Sequence, residues 1–221
     1  MSTSGDSPTA IVVGAGIFGA SIAHALTQRG WAVQIIECYV PGHVRSSSHD
    51  LSRLLRLSHG DEDLPDNWYT RSALRSRELW LEIGLDEGVE LFVPSGAMWA
   101  ARSDAGFESR SEQDLAALQI PTHRLDPAEA AQFFPDVRDD DLAFLLYEPL
   151  AGVLRATTCV QTLISRALRS GAVLRTGRAR PGPAGPLLDA EQLGADRVIW
   201  ACGPWLATMF PDLVSLRSVK Q

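Results

Sequence analysis

The sequence predicts an α/β fold, and three observations carry that reading. Short apolar runs near both ends look like buried parallel strands, a glycine-rich turn and a helix join the first two of them, and the middle of the chain has a different, hairpin-like character. Residues 10–13 are continuously apolar and too short for a helix, as expected of a strand covered on both faces. Gly14-Ala15-Gly16 comes directly after. Residues 17–29 have helical character, with Ile17, Ala20, Ala23, Ala25 and Leu26 among the apolar positions, and Gly30 is placed to end the helix. Residues 32–36 form a second β-rich run closed by Glu37, which completes one strand–turn–helix–strand unit.

Beyond that unit, residues 39–48 read as a loop with Pro41-Gly42 and three consecutive serines. Residues 52–58 are dominated by Leu and Arg. Asp66 is placed to cap a helix running to about Ile83, with Tyr69, Ala73 and Trp80 along one side. Residues 89–93, Pro94-Ser95-Gly96 and residues 97–101 read as a hairpin, and residues 109–118 as a helix. Asp126-Pro127-Ala128-Glu129 combines a cap residue, a proline at the first helical position and an acid at the third, which is a helix start. A strand at 142–147 comes next. Thr157 or Thr158 then caps a helix to Ser170 that Gly171 ends, with a strand at 173–176. Residues 181–186 are a Pro/Gly-rich turn region, and a last strand at 197–201 is broken by Cys202-Gly203-Pro204. Strands at both ends with a mixed middle imply one discontinuous domain, residues 1–84 and 151–221, with a second domain inserted at 85–150.

The sharpest local signal is GxGxxG at Gly14, Gly16 and Gly19, lying between a predicted strand and a predicted helix. Gly14 permits the tight turn, Gly16 lets backbone approach a pyrophosphate, and Gly19 lets the helix pack closely on the strand. Ile17 and Phe18 open the helix, whose unpaired N–H groups and partial positive charge suit phosphates. Glu37 stands 18 residues after Gly19 at the end of the second strand, where a carboxylate can accept hydrogen bonds from ribose hydroxyls and repel a 2′-phosphate. These features together imply a Rossmann-like unit for an ADP-containing cofactor, and this geometry serves NAD and FAD alike.

Bulk properties narrow the partners. The 221 residues are 45% hydrophobic, enough for a real core, and the formal charge is −7, which argues against nucleic acid and anionic membrane. No apolar run reaches the roughly 20 residues of a membrane span, and the polar residues 1–8 read as a tail without a signal region. Cys38, Cys159 and Cys202 are odd in number and far apart, so neither a disulfide framework nor a metal site is expected, and a cytoplasmic location fits. No Ser-His-Asp triad or pair of carboxylates points to another chemistry.

The stretch Ser47-Ser48-His49-Asp50-Leu51-Ser52-Arg53-Leu54-Leu55-Arg56 resembles the S-H-x-x-x-x-R-x-x-R segment of the monomeric sarcosine oxidase group, within the D-amino-acid oxidase/glycine oxidase (DAO) family of flavoenzymes. The segment from Tyr69 to Trp80 is similar to that group's helix, and Val93-Pro94-Ser95-Gly96-Ala97 and Ala201-Cys202-Gly203-Pro204-Trp205 add to the likeness, which covers nearly the whole chain. Asp50 and Leu51 stand where the family usually has Gly and Asp, and Cys202 where it has Thr, Ala or Ser.

The resemblance implies a Rossmann-like FAD-binding domain with part of an inserted antiparallel-sheet (α+β) substrate domain, with FAD as cofactor. It implies oxidation of the C–N bond of a small amine or amino acid, sarcosine-like, by hydride transfer to flavin, with O2 as an acceptor. His49 and Arg53 would be flavin-side residues and Arg56 a clamp for the substrate carboxylate, since the planar guanidinium meets a carboxylate through two parallel bonds. If the stretch is extended, Arg53 and Arg56 point to opposite faces. Ser47 and Ser48 belong to the same cofactor-facing loop. Ala201, Cys202, Gly203 and Trp205 form a turn that approaches FAD, and Ala179 lies where a strand backbone meets the adenine. Without the resemblance, Arg53 and Arg56 also read as surface arginines flanking Leu54 and Leu55, and His49 as a loop histidine. The likeness stops before a second half that such enzymes carry, so a missing C-terminal half or a second subunit is an expected partner. Two alternatives stand beside the enzyme reading: a catalytically incompetent FAD- or nucleotide-binding fragment or subunit of a split enzyme, and an NAD-dependent dehydrogenase.

Overall fold

The computed structural model describes residues 7–60, 65–133, 135 and 140–217. The expected N-terminal tail lies, up to residue 6, outside the described residues. In chain order the elements begin with β1 (Thr9–Val13), α1 (Ile17–Thr27), β2 (Ala32–Glu37), β3 (Arg53–Leu55), α2 (Trp68–Glu87), β4 (Phe92–Val93) and β5 (Ala97–Ala101). They continue with α3 (Phe107–Ala117), β6 (His123–Leu125), β7 (Phe144–Glu148), β8 (Gly152–Leu154) and α4 (Ala156–Arg169). The last are β9 (Val173–Thr176), β10 (Ala179–Gly182), β11 (Gly185–Leu188), β12 (Glu191–Gln192), β13 (Arg197–Trp200) and α5 (Leu206–Met209). The chain divides into two compact units, Met1–Leu51 with Ala156–Gln221, and Ser52–Arg155. The sequence set the first boundary at 84/85; in this division α2 belongs to the second unit.

The first unit is built on a four-stranded sheet in the order β13-β1-β2-β9, with every neighbouring pair parallel. β1 lies inside it, and Ala10, Ile11, Val12 and Val13 are all buried, which is why this strand reads as an unbroken apolar run. α1 turns Gly19, Ala20 and Ala23 inward, with Gly19 against the glycine turn, and α1 also packs on α4. α4 buries Ala156, Cys159, Val160, Leu163, Ile164 and Ala167, the stripe spacing of an amphipathic helix. Each large side chain in that stripe is worth about 1.5–3 kcal/mol of transfer free energy. A second small sheet, β10-β11-β12, adds Ala179, Leu188 and Leu193 to a core cluster with Ile11, Val13 and Ile36. Its β10–β11 hairpin pairs Pro181 with Pro186, so the Pro/Gly-rich stretch is where this hairpin turns. At the other end of β1, Asp196 accepts from the Thr9 amide and hydroxyl, both at 2.8 Å, and ties β1 to the start of β13. Parallel strands with helical crossovers give the α/β, Rossmann-like class that the sequence predicts.

The second unit holds two antiparallel sheets, β3-β8-β4 and β5-β7-β6, together with α2 and α3. Four local expectations need correction here. Residues 89–101 do not form a hairpin: β4 pairs with β8 and β5 with β7. The Pro94-Ser95-Gly96 bend passes the chain from one sheet to the other, and each strand finds a distant partner instead of its neighbour. Asp66 does not cap α2. It has φ 60, the N-cap position is Asn67 in the left-handed region without a side-chain cap bond, and the helix runs from Trp68 to Glu87 before Gly88 ends it at φ 64. Ala73 and Trp80 are buried as the pattern implied, but Tyr69 is exposed. Asp126 does cap, with its side chain accepting from Ala128 N and Glu129 reaching back to the Asp126 amide, yet the element it caps is only a short 3-10 helix, Pro127–Gln132. In the first unit, Thr157 sits inside α4 instead of capping it, and its hydroxyl donates to Asp50 O at 2.9 Å.

Candidate functional site

The glycines of the first turn meet different constraints. Gly14 has φ +102, and a Cβ there would lie 2.5 Å from Ala201 O, so the turn is pressed against the end of β13. A Cβ on Gly19 would lie 1.8 Å from Gly14 O, so the first turn of α1 rests directly on the glycine turn. The Gly16 position is different: its Cβ would meet Ser48 Oγ at 3.1 Å and Ser46 Oγ at 3.5 Å. Serine hydroxyls border the space where the second glycine exposes backbone. Ser48 Oγ accepts from Ile17 N at 2.9 Å, which leaves the hydroxyl proton for another acceptor at the start of α1.

Glu37 is held at the same turn. One carboxylate oxygen accepts from Ala15 N at 2.7 Å and the other from Tyr39 N at 3.0 Å. Two amides leave further lone pairs on the carboxylate for hydroxyl donors. Gly14, Ala15, Gly16, Ile17, Gly19, Glu37, Ser48 and Ala201 are therefore gathered at the strand ends of one sheet, the usual place for a ligand in an open parallel sheet. Phe18 is 76% exposed beside them.

The remaining site residues of the first unit have mixed surroundings. The His49 ring lies with Nδ1 2.8 Å from Gly42 O and 3.3 Å from Thr157 Oγ1. A carbonyl only accepts, so Nδ1 carries the proton and donates to Gly42, and the ring fastens its own loop to the start of α4. Ser47 lies in the same loop. Ala179 is buried in the core cluster and pairs with Leu188, so its side chain belongs to the core. Cys202 donates to Val13 O at 3.4 Å. Burial, and then the negative charge of Glu37, push its thiol up to about 11, so it stays protonated. Gly203 and Trp205 form a short 3-10 turn, with Trp205 43% exposed.

Arg53 and Arg56 lie in the second unit. Arg53 is in β3, paired with Leu154, which gives the extended backbone on which the opposite-face argument depended, and Arg56 comes directly after the strand. The Arg56 guanidinium lies over the Trp99 ring at 5.0 Å and the Phe107 ring at 5.3 Å, and donates to Ser58 O at 3.1 Å. Among the described residues no carboxylate bonds to it. Beside it is an acid that sequence reasoning missed. Glu148, at the end of β7, is 1% exposed and accepts from Leu57 N at 2.9 Å, Ser58 N at 3.0 Å, Ser58 Oγ and Trp99 Nε1 at 2.7 Å. A signal for it was available, because Phe144, Leu146 and Glu148 fall on one face of a strand whose apolar members are core.

Comparison with known proteins places this arrangement. Residues 9–221 match the DAO family, described as FAD dependent oxidoreductase. The chain belongs to that family. The monomeric sarcosine oxidase of Streptomyces avermitilis is 34% identical over 170 residues, covering 76% of this chain and 43% of that protein. The N-methyl-L-tryptophan oxidase of Citrobacter koseri is 25% identical over 210 residues, covering 92% of this chain and 55% of that protein. Among solved structures, iminodiacetate oxidase from Chelativorans is similar with a TM-score of 0.72 and 27% identity, covering 94% of this chain and 58% of that one. L-proline dehydrogenase from P. horikoshii has a TM-score of 0.75 at 21% identity, covering 96% of this chain and 58% of that one, and shares the fold. The chain spans about half the length of the relatives it matches.

Family membership resolves the choice that the glycine turn left open. The cofactor is FAD, and the NAD-dependent alternative is set aside. The residues present fit its ADP half: a glycine turn half-buried at Gly16, a serine hydroxyl with a proton to give, and a carboxylate fixed at the strand end. No described helix is long and apolar enough to cross a membrane.

Proposed function

We propose that this chain is the FAD-holding part of an enzyme that oxidises the C–N bond of a small amine or amino acid bearing a carboxylate. The observation that carries the reading is the cradle at Gly14–Gly19, Glu37 and Ser48 in a chain whose relatives include a sarcosine oxidase and an N-methyltryptophan oxidase. In this reading the α1 start and Ser48 bind the diphosphate, and Glu37 takes the adenosine ribose hydroxyls. The first unit serves as the FAD domain and the second as the substrate domain. Bound FAD supplies the acceptor for a hydride from the carbon next to the substrate nitrogen. Arg56 orients the substrate through its carboxylate, which the planar guanidinium meets through two parallel bonds. Arg53 and His49 serve the flavin side, His49 by holding its loop to α4. The substrate also gives up its N–H proton to solvent and leaves as an imine, which water hydrolyses.

The test is anaerobic addition of sarcosine, N-methyl-L-tryptophan or proline to the chain loaded with FAD. Loss of the flavin absorbance near its visible maximum with any of these amines supports the enzyme reading. One observation favours a second reading, namely that the chain spans about half the length of its relatives. On that reading the chain binds FAD but turns nothing over without a C-terminal half or a partner subunit. Flavin binding without bleaching selects the second reading, and a chain that binds no FAD contradicts both.

A further inference from the structure

We propose that Glu148 is the positioning residue of the Arg56 clamp. This rests on the reading of Arg56 as the group that holds the substrate carboxylate. Glu148 is buried, and its four donors come from only two places. Leu57 N, Ser58 N and Ser58 Oγ belong to the two residues after Arg56. Trp99 Nε1 belongs to the ring on which the Arg56 guanidinium lies. The Ser58 carbonyl, on the backbone that Glu148 fixes, in turn accepts from Arg56. One carboxylate thus holds the backbone at the root of the arginine, the surface beneath its head group and the residue that receives one of its N–H groups.

Removing a carboxylate from water is costly even after relaxation. If the acid only supported the packing of β7, an apolar residue beside Phe144 and Leu146 would serve the same cluster without that cost. An apolar substitute would leave the Leu57 and Ser58 amides and the Trp99 indole without the acceptor they have now, and these are the groups that fix where Arg56 points. Arg56 itself is not neutralised by Glu148, whose oxygens are taken by other donors. Among the described residues no carboxylate bonds to the guanidinium, while two aromatic faces and a carbonyl limit its motion.

Glu148→Gln is the informative variant because it keeps the volume. Glutamine offers one acceptor oxygen and one NH2 group. Turned toward the two backbone amides, which cannot rotate, the oxygen replaces one carboxylate oxygen. The NH2 then faces Ser58 Oγ, which can rotate to accept, and Trp99 Nε1–H, which cannot. Trp99 is the group that must move, and Arg56 loses its seat.

The test monitors the side-chain N–H signals of Arg56 and Trp99 by NMR in the FAD-loaded chain, with sarcosine and its carboxamide as ligands. In the unsubstituted chain sarcosine should shift the Arg56 signals, and the carboxamide should not. In Glu148→Gln we expect the Trp99 indole signal to move, the Arg56 signals to narrow toward those of a mobile side chain, and the sarcosine response to weaken by about tenfold, the order of loss that misplacing a charge-assisted clamp causes. Unchanged backbone signals from α2, β4 and β8, in the same unit as Glu148, show that the fold survives. Trp99→Phe keeps a ring under Arg56 but deletes the indole donor. It should weaken the sarcosine response by a few fold in the same direction, and it decides the matter if Glu148→Gln does not fold. If Arg56 responds to sarcosine but neither variant alters that response, Glu148 is structural only and the inference falls while the clamp stands. If Arg56 does not respond to sarcosine in the unsubstituted chain, the clamp reading falls, and the inference with it.

Discussion

Gly19→Ala isolates the contact that seats α1 on the glycine turn. The substitution is instructive because backbone preference and packing pull in opposite directions. Gly19 lies inside α1, where alanine is favoured over glycine by about 1 kcal/mol. Were there room, Gly19→Ala would stabilise the protein. The new methyl, however, would lie 1.8 Å from Gly14 O and 2.9 Å from Gly14 C, and both are backbone atoms with no rotamer to move into. Relief requires α1 and the turn to separate by about an ångström, which opens the close backbone contact between them. Overpacking a tight site costs about 1–3 kcal/mol where side chains can give, and more where only backbone is present. We expect a net loss of about 3 kcal/mol, which for a chain of this size is a fall in Tm of roughly 6–12 °C. We also expect FAD and ADP affinity to drop by at least about tenfold, because the Ile17 amide leaves its place beside Ser48. Gly30→Ala is the control. Gly30 has φ +78 and nothing within 4 Å of a Cβ, so the variant should lose only about 1–2 kcal/mol of backbone strain and bind ADP as before. Thermal unfolding and calorimetric titration with ADP read both variants. A Gly19→Ala chain as stable as the parent, with unchanged ADP affinity, would refute the argument that this turn is built by close backbone approach.

Two further predictions concern titration. Burial raises the Cys159 thiol to about 12 and, with the Glu37 charge second, the Cys202 thiol to about 11, so both should react slowly with a disulfide reagent at pH 8 in the folded chain. These thiols lose protons in the unfolded chain at lower pH than in the folded one, so their contribution to stability declines as pH rises from about 9, and chemical denaturation at pH 8 and pH 10 should show it. Equal reaction rates in folded and unfolded protein at pH 8 would contradict the burial of both. The Asp196 carboxyl is held below its usual range, chiefly by the Thr9 amide and then by its hydroxyl, so it favours the folded chain while ionised. That contribution is present above about pH 4 and is lost as pH falls through the lowered value, so the stability difference between the parent and Asp196→Asn should close in acid. A difference that widens in acid would contradict the assignment.

Each feature was legible in the sequence to the extent that it is local. The run from β1 to Glu37 is read correctly because each part depends on its neighbours in the chain: an apolar strand, glycines at fixed spacing, and an acid at the next strand end. α4 is equally legible, since its apolar stripe repeats along a single helix. The second unit is less so. β4 and β5 look like the arms of a hairpin in sequence, but their partners are β8 and β7, more than forty residues away, and no local pattern specifies that pairing. Asp66 looks like a cap by residue type, yet the backbone at Asp66 and Asn67 turns left-handed and the helix starts beyond both. His49 was singled out by its place in a motif, which gives no hint that its ring is bonded to Gly42 and Thr157. Glu148 is not legible locally, because the donors that hold it come from Leu57, Ser58 and Trp99, all distant in sequence.

The account rests on the adenosine diphosphate of FAD lying at the start of α1, with its ribose at Glu37. The most direct measurement is the backbone amide NMR spectrum during titration with ADP. The largest shifts are predicted at Ala15, Gly16, Ile17 and Phe18, at Tyr39 next to the acid, and at Ser46 to Ser48, with β3 to β8 little changed. Saturating ADP that leaves these amides unmoved, or that shifts a different set of residues, would contradict the account.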